Sequence, residues 1–328
     1  MVKKPPLLQT LGGKGPGDMS ETTAIMICGH GSRDDGAADE FNNLAKRIRE
    51  RLPNYDMESG FLGLTKPEFR LGLEKLIGRG AKKIICVPGM LFDLKHVEND
   101  LPSKINSFAS LHPDIEFICS NDLTLDPKLL IATRDRIEEC EVAAPVNIDR
   151  KETLLMVVGR GTNNADANSN VHKVTRMLWE GMGFGWAEVS YSSGAYPLVD
   201  EGMRHAMKLN YKRIIVFPYF LFTGTLVHRI YAWADEAQAV NPDVEVLKAP
   251  YLNDHTQLLD CFADRIEEAL VGTNAMNCLL CKYREQIIIN KGDVVTPHVG
   301  HHRHLPGTSA GGNGLHIHGA HHDHLHKD

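Results

Sequence analysis

Ile25-Met-Ile-Cys-Gly-His-Gly-Ser32 passes from four apolar residues straight into Gly29, His30, Gly31 and Ser32. An unbroken apolar run ending at glycines reads as a strand buried in a parallel sheet. The glycines permit a tight turn that stands His30 at the carboxyl end of that strand. In open α/β sheets, ligands bind at that edge. A second run, Ile84-Ile-Cys-Val-Pro88, leads through a short loop into Leu94-Lys-His-Val-Glu98. His96 and Glu98 are thereby expected beyond the end of another strand, with His96 facing His30 across one cleft.

The chain contains itself twice. Gly29-His-Gly-Ser32 matches Gly159-Arg-Gly-Thr162, Pro67 matches Pro197, and Gly72 matches Gly202. Lys83-Ile-Ile-Cys-Val-Pro88 matches Arg213-Ile-Ile-Val-Phe-Pro218, all at an offset of 130 residues. Pro113-Asp-Ile-Glu116 matches Pro242-Asp-Val-Glu245, and Arg136-Ile-Glu-Glu139 matches Arg265-Ile-Glu-Glu268, at an offset of 129. One register held over more than a hundred residues, with a single one-residue slip, marks a duplicated domain. The first copy reads as strands near 24–28, 56–62, 83–88 and 115–119. Helices alternate with them near 36–51, 67–79, 96–110 and 127–141. Phe41, Leu44, Ala45 and Ile48 give a helical apolar stripe. Pro67 is placed in the first turn of its helix.

This alternation predicts an α/β fold of two duplicated Rossmann-like halves, each a four-stranded parallel sheet flanked by helices. The expected divisions are a disordered leader over 1–22, a front half over 23–142, a back half over 153–272, and a tail over 273–328. In a sheet of order 2-1-3-4, strands one and three are neighbours about 4.8 Å apart, and the crevice lies between them. That is the reason to pair His30 with His96.

Composition bounds the class. The 328 residues are 42% hydrophobic and 24% charged, with a net charge of −6. The charge argues against nucleic-acid binding. No apolar run approaches the ~20 residues of a membrane span. Met1 to Ser20 lacks the apolar segment of a secretory signal. Seven cysteines, an odd number without a disulfide-like framework, point to a reducing cytoplasm. Cys28, Cys86 and Cys119 fall in strand runs and read as core residues.

Imidazole binds Co²⁺, Ni²⁺, Zn²⁺ and Fe²⁺, and it titrates near neutrality. Two histidines with Glu98 leave positions open on a metal, unlike a closed structural site. The plainer reading has His30 capping a turn and His96 opening a surface helix. The second copy is an internal control: Arg160 stands in the place of His30, Leu226 in that of His96, and His228 in that of Glu98. One metal site per chain is expected. Arg160 can face a carboxylate of a ligand held between the halves.

Gly29-His-Gly-Ser-Arg33, followed by Val87-Pro and His96-Val-Glu-Asn-Asp-Leu-Pro102, resembles the sirohydrochlorin cobaltochelatase family in its long two-repeat form, CbiX. The resemblance covers about residues 23–272. It implies a class II chelatase fold and insertion of Co²⁺ into sirohydrochlorin on the route to cobalamin. It puts the metal-binding, catalytic histidines on His30 and His96, with an acidic group on Glu98. Insertion requires stripping water from the ion, bending the macrocycle and removing two pyrrole N–H protons. The histidines can replace that water, and one of them or Glu98 can act as general base. Sirohydrochlorin carries many carboxylates, so Ser32, Arg33, Lys66, Lys95 and Arg160 are candidate contacts.

Met276-Asn-Cys-Leu-Leu-Cys281 follows the repeat. Cys278 and Cys281 could hold one metal or half of an iron–sulfur cluster. The resemblance implies a [4Fe–4S] centre whose remaining ligands lie elsewhere. Ten of the 17 histidines fall between His298 and His326. His301, His302, His304, His316, His318, His321, His322, His324 and His326 form clusters too irregular for a purification tag. They read as a metal buffer on a segment expected to be disordered without metal. A homodimer is compatible with these residues, which do not fix oligomeric state.

Three rivals stand beside this reading. A histidine phosphatase wants an arginine just before the histidine, where Cys28-Gly29 stands. A metal carrier would need no tetrapyrrole cleft. The same fold could insert Fe²⁺ or Ni²⁺, because raw affinity runs Ni²⁺ over Co²⁺ over Fe²⁺ and does not name the metal.

Overall fold

β1 (Thr23–Gly29) is buried along its whole length, in keeping with a strand covered on both faces. The computed structural model describes residues 23–63, 65–91, 101–123 and 125–272. The front half continues with α1 (Asp35–Arg51), β2 (Asp56–Phe61), α2 (Phe69–Gly78), β3 (Lys83–Pro88), α3 (Leu101–Leu111), β4 (Glu116–Cys119) and α4 (Pro127–Val142). The back half repeats it with β5 (Thr153–Gly159), α5 (Ala165–Met182), β6 (Trp186–Tyr191) and α6 (Val199–Ala206). It closes with β7 (Arg213–Pro218), α7 (Thr225–Val240), β8 (Glu245–Lys248) and α8 (Thr256–Val271). The sheets have orders β2-β1-β3-β4 and β6-β5-β7-β8, and all their pairs are parallel. The expected fold class is the one observed.

Strand periodicity divides the core into layers. Ile25, Ile27, Ile85 and Val87 of the front sheet join Leu155, Val157, Ile215 and Phe217 of the back sheet in one central core. Residues from α1, α4, α5 and α8 fill the space between them. The alternate residues Met26, Cys28 and Cys86 face outward under α2 and α3. Met156, Val158 and Val216 do the same under α6 and α7. Leu101 and Ile105 on α3 and Ile230 and Ala234 on α7 fill corresponding outer cores at an offset of 129, so the register slip precedes α3.

Phe41, Leu44, Ala45 and Ile48 of α1 are all buried, as their spacing requires. Asp34 caps that helix, accepting from the Ala37 N–H at 3.2 Å. Pro67 corrects one expectation: it lies two residues before α2, not in its first turn. Its carbonyl accepts the Phe61 N–H at 2.9 Å, and Phe61 bridges to Glu68. The chain therefore stays extended through Glu68 before turning helical. Cys28 and Cys86 are buried, and Cys119 is half-buried.

Ion pairs stitch the halves together. Arg47 pairs with Asp254, Arg51 with Asp260 at 2.8 Å, and Lys128 with Asp264. Arg265, only 5% exposed, reaches Asp126 at 3.0 Å and the Asp122 carbonyl at 3.0 Å. A buried guanidinium without such partners would be strongly destabilising.

Candidate active site

The carboxyl ends of β1 and β5 open into one cavity of about 330 Å³ between the halves. Gly29 ends β1 where a Cβ would lie 2.8 Å from the Phe61 ring and 2.9 Å from the Phe41 ring. Gly31 has φ +93°, a region that glycine enters without penalty. Between them His30 is half-buried and lines the cavity. Its Nδ1 lies 2.9 Å from the Gly31 carbonyl. A carbonyl only accepts, so in the neutral ring Nδ1 carries the proton and Nε2 the lone pair. A lone pair fixed in this way can take a metal ion or a proton.

β3 lies beside β1, with Cys28 opposite Pro88, and the Gly89 N–H donates to the Cys28 carbonyl at 2.8 Å. Gly89, Met90 and Leu91, which follow β3, line the cavity. Lys95, His96 and Glu98 lie outside the described residues, as do Cys278, Cys281 and all the tail histidines from His301 to His326. Among the described residues, no three His, Cys, Asp or Glu side chains converge as a metal site.

Arg160 ends the equivalent turn after β5 and lines the same cavity. The Ser193 N–H and the Ser192 hydroxyl both bond its carbonyl at 3.0 Å, which anchors its backbone. Its guanidinium has no carboxylate partner among the described residues. It meets solvent within the cavity, where the packed walls displace bulk water and pull its pKa down from the ordinary arginine value. Arginine remains cationic there. Leu226, in the first turn of α7, lines the cavity too. No carboxylate is among the described lining residues. Phenylalanine and leucine side chains with one uncompensated cation suit a flat, apolar ligand bearing acid groups.

Other anticipated residues take different places. Ser32 lines the cavity, but its backbone N–H donates to Thr65 Oγ1 at 3.0 Å and its hydroxyl accepts from the Asp34 N–H at 3.0 Å. Arg33 is exposed and is not among the lining residues. His228 contacts Thr223 Oγ1 at 3.1 Å and stands 3.9 Å from Asp34 of the front half.

The sequence reading missed Glu40. This α1 residue accepts from the Thr223 N–H at 2.7 Å and the Tyr251 hydroxyl at 2.6 Å, and so holds the wall Thr223-Gly224 of the cavity. Its spacing from the apolar residues of α1 marks it only as a polar position.

Cys28, Cys86, Cys140 and Cys261 are buried. Burial pushes the Cys28 and Cys261 thiols well up and that of Cys140 up to about 11. These four thiols are packed as small apolar side chains within the core layers.

Comparison with known proteins matches both halves of the chain. The CbiX family model matches residues 24–140 and again 154–269. A sirohydrochlorin cobaltochelatase of Priestia megaterium is 30% identical over 280 residues, 85% of this chain and 88% of that protein. A sirohydrochlorin ferrochelatase of the same organism is 27% identical over 249 residues, 75% of this chain and 90% of that protein. The fold is shared with SirB from Bacillus subtilis with Fe³⁺, at a TM-score of 0.68 and 24% identity, over 76% of this chain and 95% of SirB.

Proposed function

The chain belongs to the CbiX family, and on that premise we propose that it inserts a divalent metal, Co²⁺, into sirohydrochlorin. The observation that carries the reading is the pairing of His30 and Arg160 on the walls of one apolar cavity. His30 Nε2 replaces water on the incoming ion. The macrocycle binds M²⁺ and releases two pyrrole N–H protons, so charge is conserved as the chelate forms. His96 supplies the second imidazole. Glu98 or one of the imidazoles accepts protons as general base. Arg160 holds a peripheral carboxylate so that the ring presents its nitrogens to His30. The clustered tail histidines serve as a reservoir of the metal to be inserted.

Fe²⁺ insertion is the second reading, favoured by the similarity to a ferrochelatase at nearly the same identity. The deciding experiment is a spectrophotometric insertion assay with Co²⁺, Fe²⁺ and Ni²⁺ on wild type, His30→Ala and His96→Ala. Co²⁺ should give the highest kcat/KM, and both variants should lose insertion. Unchanged rates in both variants, or no insertion by wild type, would remove the assignment. Deleting residues 290–328 should lower bound metal while leaving turnover at saturating Co²⁺ nearly intact.

A further inference from the structure

A second pocket opens on the other side of Phe61. The Phe61 ring packs on Phe41 with centroids 4.7 Å apart and lines the catalytic cavity. It also lines a pocket of about 480 Å³ between the loop after β2 and helix α3. Phe69 and Phe108 give this pocket an apolar floor, and Lys66, Arg70 and Lys104 stand around it. Arg70 shares its charge with Glu74 at 3.2 Å. Lys104 donates to the Leu62 carbonyl, a neutral acceptor that leaves its charge uncompensated. Lys66 has no carboxylate partner among the described residues. Glu68 is the one acid among the described lining residues.

This cationic set is private to the front half. Lys66 and Arg70 correspond to Tyr196 and Asp200 at the offset of 130. Lys104 corresponds to Trp233 at the offset of 129 set by the buried pair Ile105 and Ala234. Shared ancestry of the halves does not account for it. It occurs only in the half that carries His30, on the same sheet edge and one aromatic ring away.

We propose that this pocket is a subsite for carboxylate arms at the rim of the macrocycle. The proposal rests on the chelatase reading above. Among its described lining residues the central cavity offers one arginine or lysine, Arg160, whereas sirohydrochlorin carries several acids on short aliphatic stems. A tetrapyrrole with its arms is larger than the cavity, so its edge must extend past the cavity walls. Beyond Phe61 it meets ammonium groups over a phenylalanine floor, which match an acid on an apolar stem. Partly exposed charges of this kind act through binding and encounter, not chemistry, and salt weakens them.

The test uses the full chain, titrated with sirohydrochlorin by absorbance without metal and then assayed for Co²⁺ insertion. Lys66→Gln/Lys104→Gln is compared with Lys173→Gln, a surface control on α5. Each lost charge should raise Kd and KM about three-fold at low salt, so the double variant should show roughly ten-fold. Its kcat should stay within two-fold of wild type, and its KM should respond less to added salt. Citrate at fixed ionic strength should compete with sirohydrochlorin in wild type and lose that effect in the double variant. A double variant with wild-type KM and salt response, in an enzyme that inserts metal, would overturn the subsite and leave the chelatase reading standing. Citrate inhibition that leaves KM unchanged would assign the pocket to a separate free polycarboxylate and overturn the subsite as well. Wild type that neither binds nor metallates sirohydrochlorin would overturn both.

Discussion

His30 and Arg160 occupy equivalent positions after β1 and β5, 130 residues apart, and line the same cavity. Duplication gave the cavity two matching turns, each built on a Gly-x-Gly backbone. One turn keeps an imidazole able to donate a lone pair, and the other keeps a cation that repels metal ions and attracts acids. Under the proposed chelatase reading, this asymmetry assigns the His30 wall to the metal and the Arg160 wall to the periphery of the ring.

The two residues should therefore fail differently. His30→Ala should lower kcat by about 10²-fold or more, on the scale of a lost catalytic group, with sirohydrochlorin binding retained. Arg160→Ala should raise KM about ten-fold, equivalent to ~1.4 kcal/mol and typical of a charged hydrogen bond, with kcat nearly unchanged. Arg160→Lys should recover part of that loss, since a point charge replaces a planar fork. Steady-state insertion kinetics and metal-free binding separate these outcomes. A fall in kcat for Arg160→Ala without a change in KM would contradict the carboxylate role.

Glu40 should couple cavity shape to stability. Its carboxylate accepts hydrogen bonds from the Thr223 N–H and the Tyr251 hydroxyl, both on the other half. Burial and this acceptor together push the Tyr251 phenol up to about 12. Glu40→Ala should cost about 2–3 kcal/mol and raise KM through the freed Thr223-Gly224 wall. Glu40→Gln keeps one acceptor oxygen and should cost about half as much. Urea denaturation and KM measured on the same preparations check this, and a stable Glu40→Ala variant with normal KM would refute it.

What the sequence revealed and what it hid have a common physical basis. Strand runs, the apolar stripe of α1 and the repeat are local or periodic, so β1 to β4, their order and the place of His30 could be read directly. Arg160 emerged from the register of the repeat. The role of Glu40 depends on partners 183 and 211 residues away, and no periodicity encodes them. The start of α2 was misplaced because Pro67 fits a first helical turn by propensity. Long-range pairing with Phe61 holds it extended instead. The cationic pocket beyond Phe61 needs α3 packed beside the loop after β2, a juxtaposition invisible in a string of separated lysines.

Glycine substitutions should divide sharply by position. A Cβ on Gly161, at φ +81°, would lie 1.7 Å from the backbone oxygen of Ser193, which cannot rotate away. Gly161→Ala should destabilise by on the order of 2–4 kcal/mol and displace Arg160. A Cβ on Gly181, inside α5, would meet nothing within 4 Å. Gly181→Ala should instead stabilise by about 0.5–1 kcal/mol through helix propensity. Thermal melts of the two variants are expected to move in opposite directions.

The pH dependence of stability should include a contribution from His255. This residue caps α8: Nδ1 accepts the Gln257 N–H at 3.2 Å, and Nε2 lies 3.4 Å from Asp135. Burial, then the nearby charge of Arg136, lowers its pKa, against the opposing pull of Asp135 and Glu139. A proton on Nδ1 would also abolish the cap, because the protonated ring has no acceptor. The folded state thus prefers the neutral ring more than the unfolded chain does. The stabilisation is complete above the unfolded value, about pH 6.5, and is lost as pH falls toward the lower folded pKa. Between pH 7.5 and 5.5, wild type should lose more unfolding free energy than His255→Asn, which keeps a capping oxygen and does not titrate. Parallel stability profiles for the two proteins would exclude this contribution.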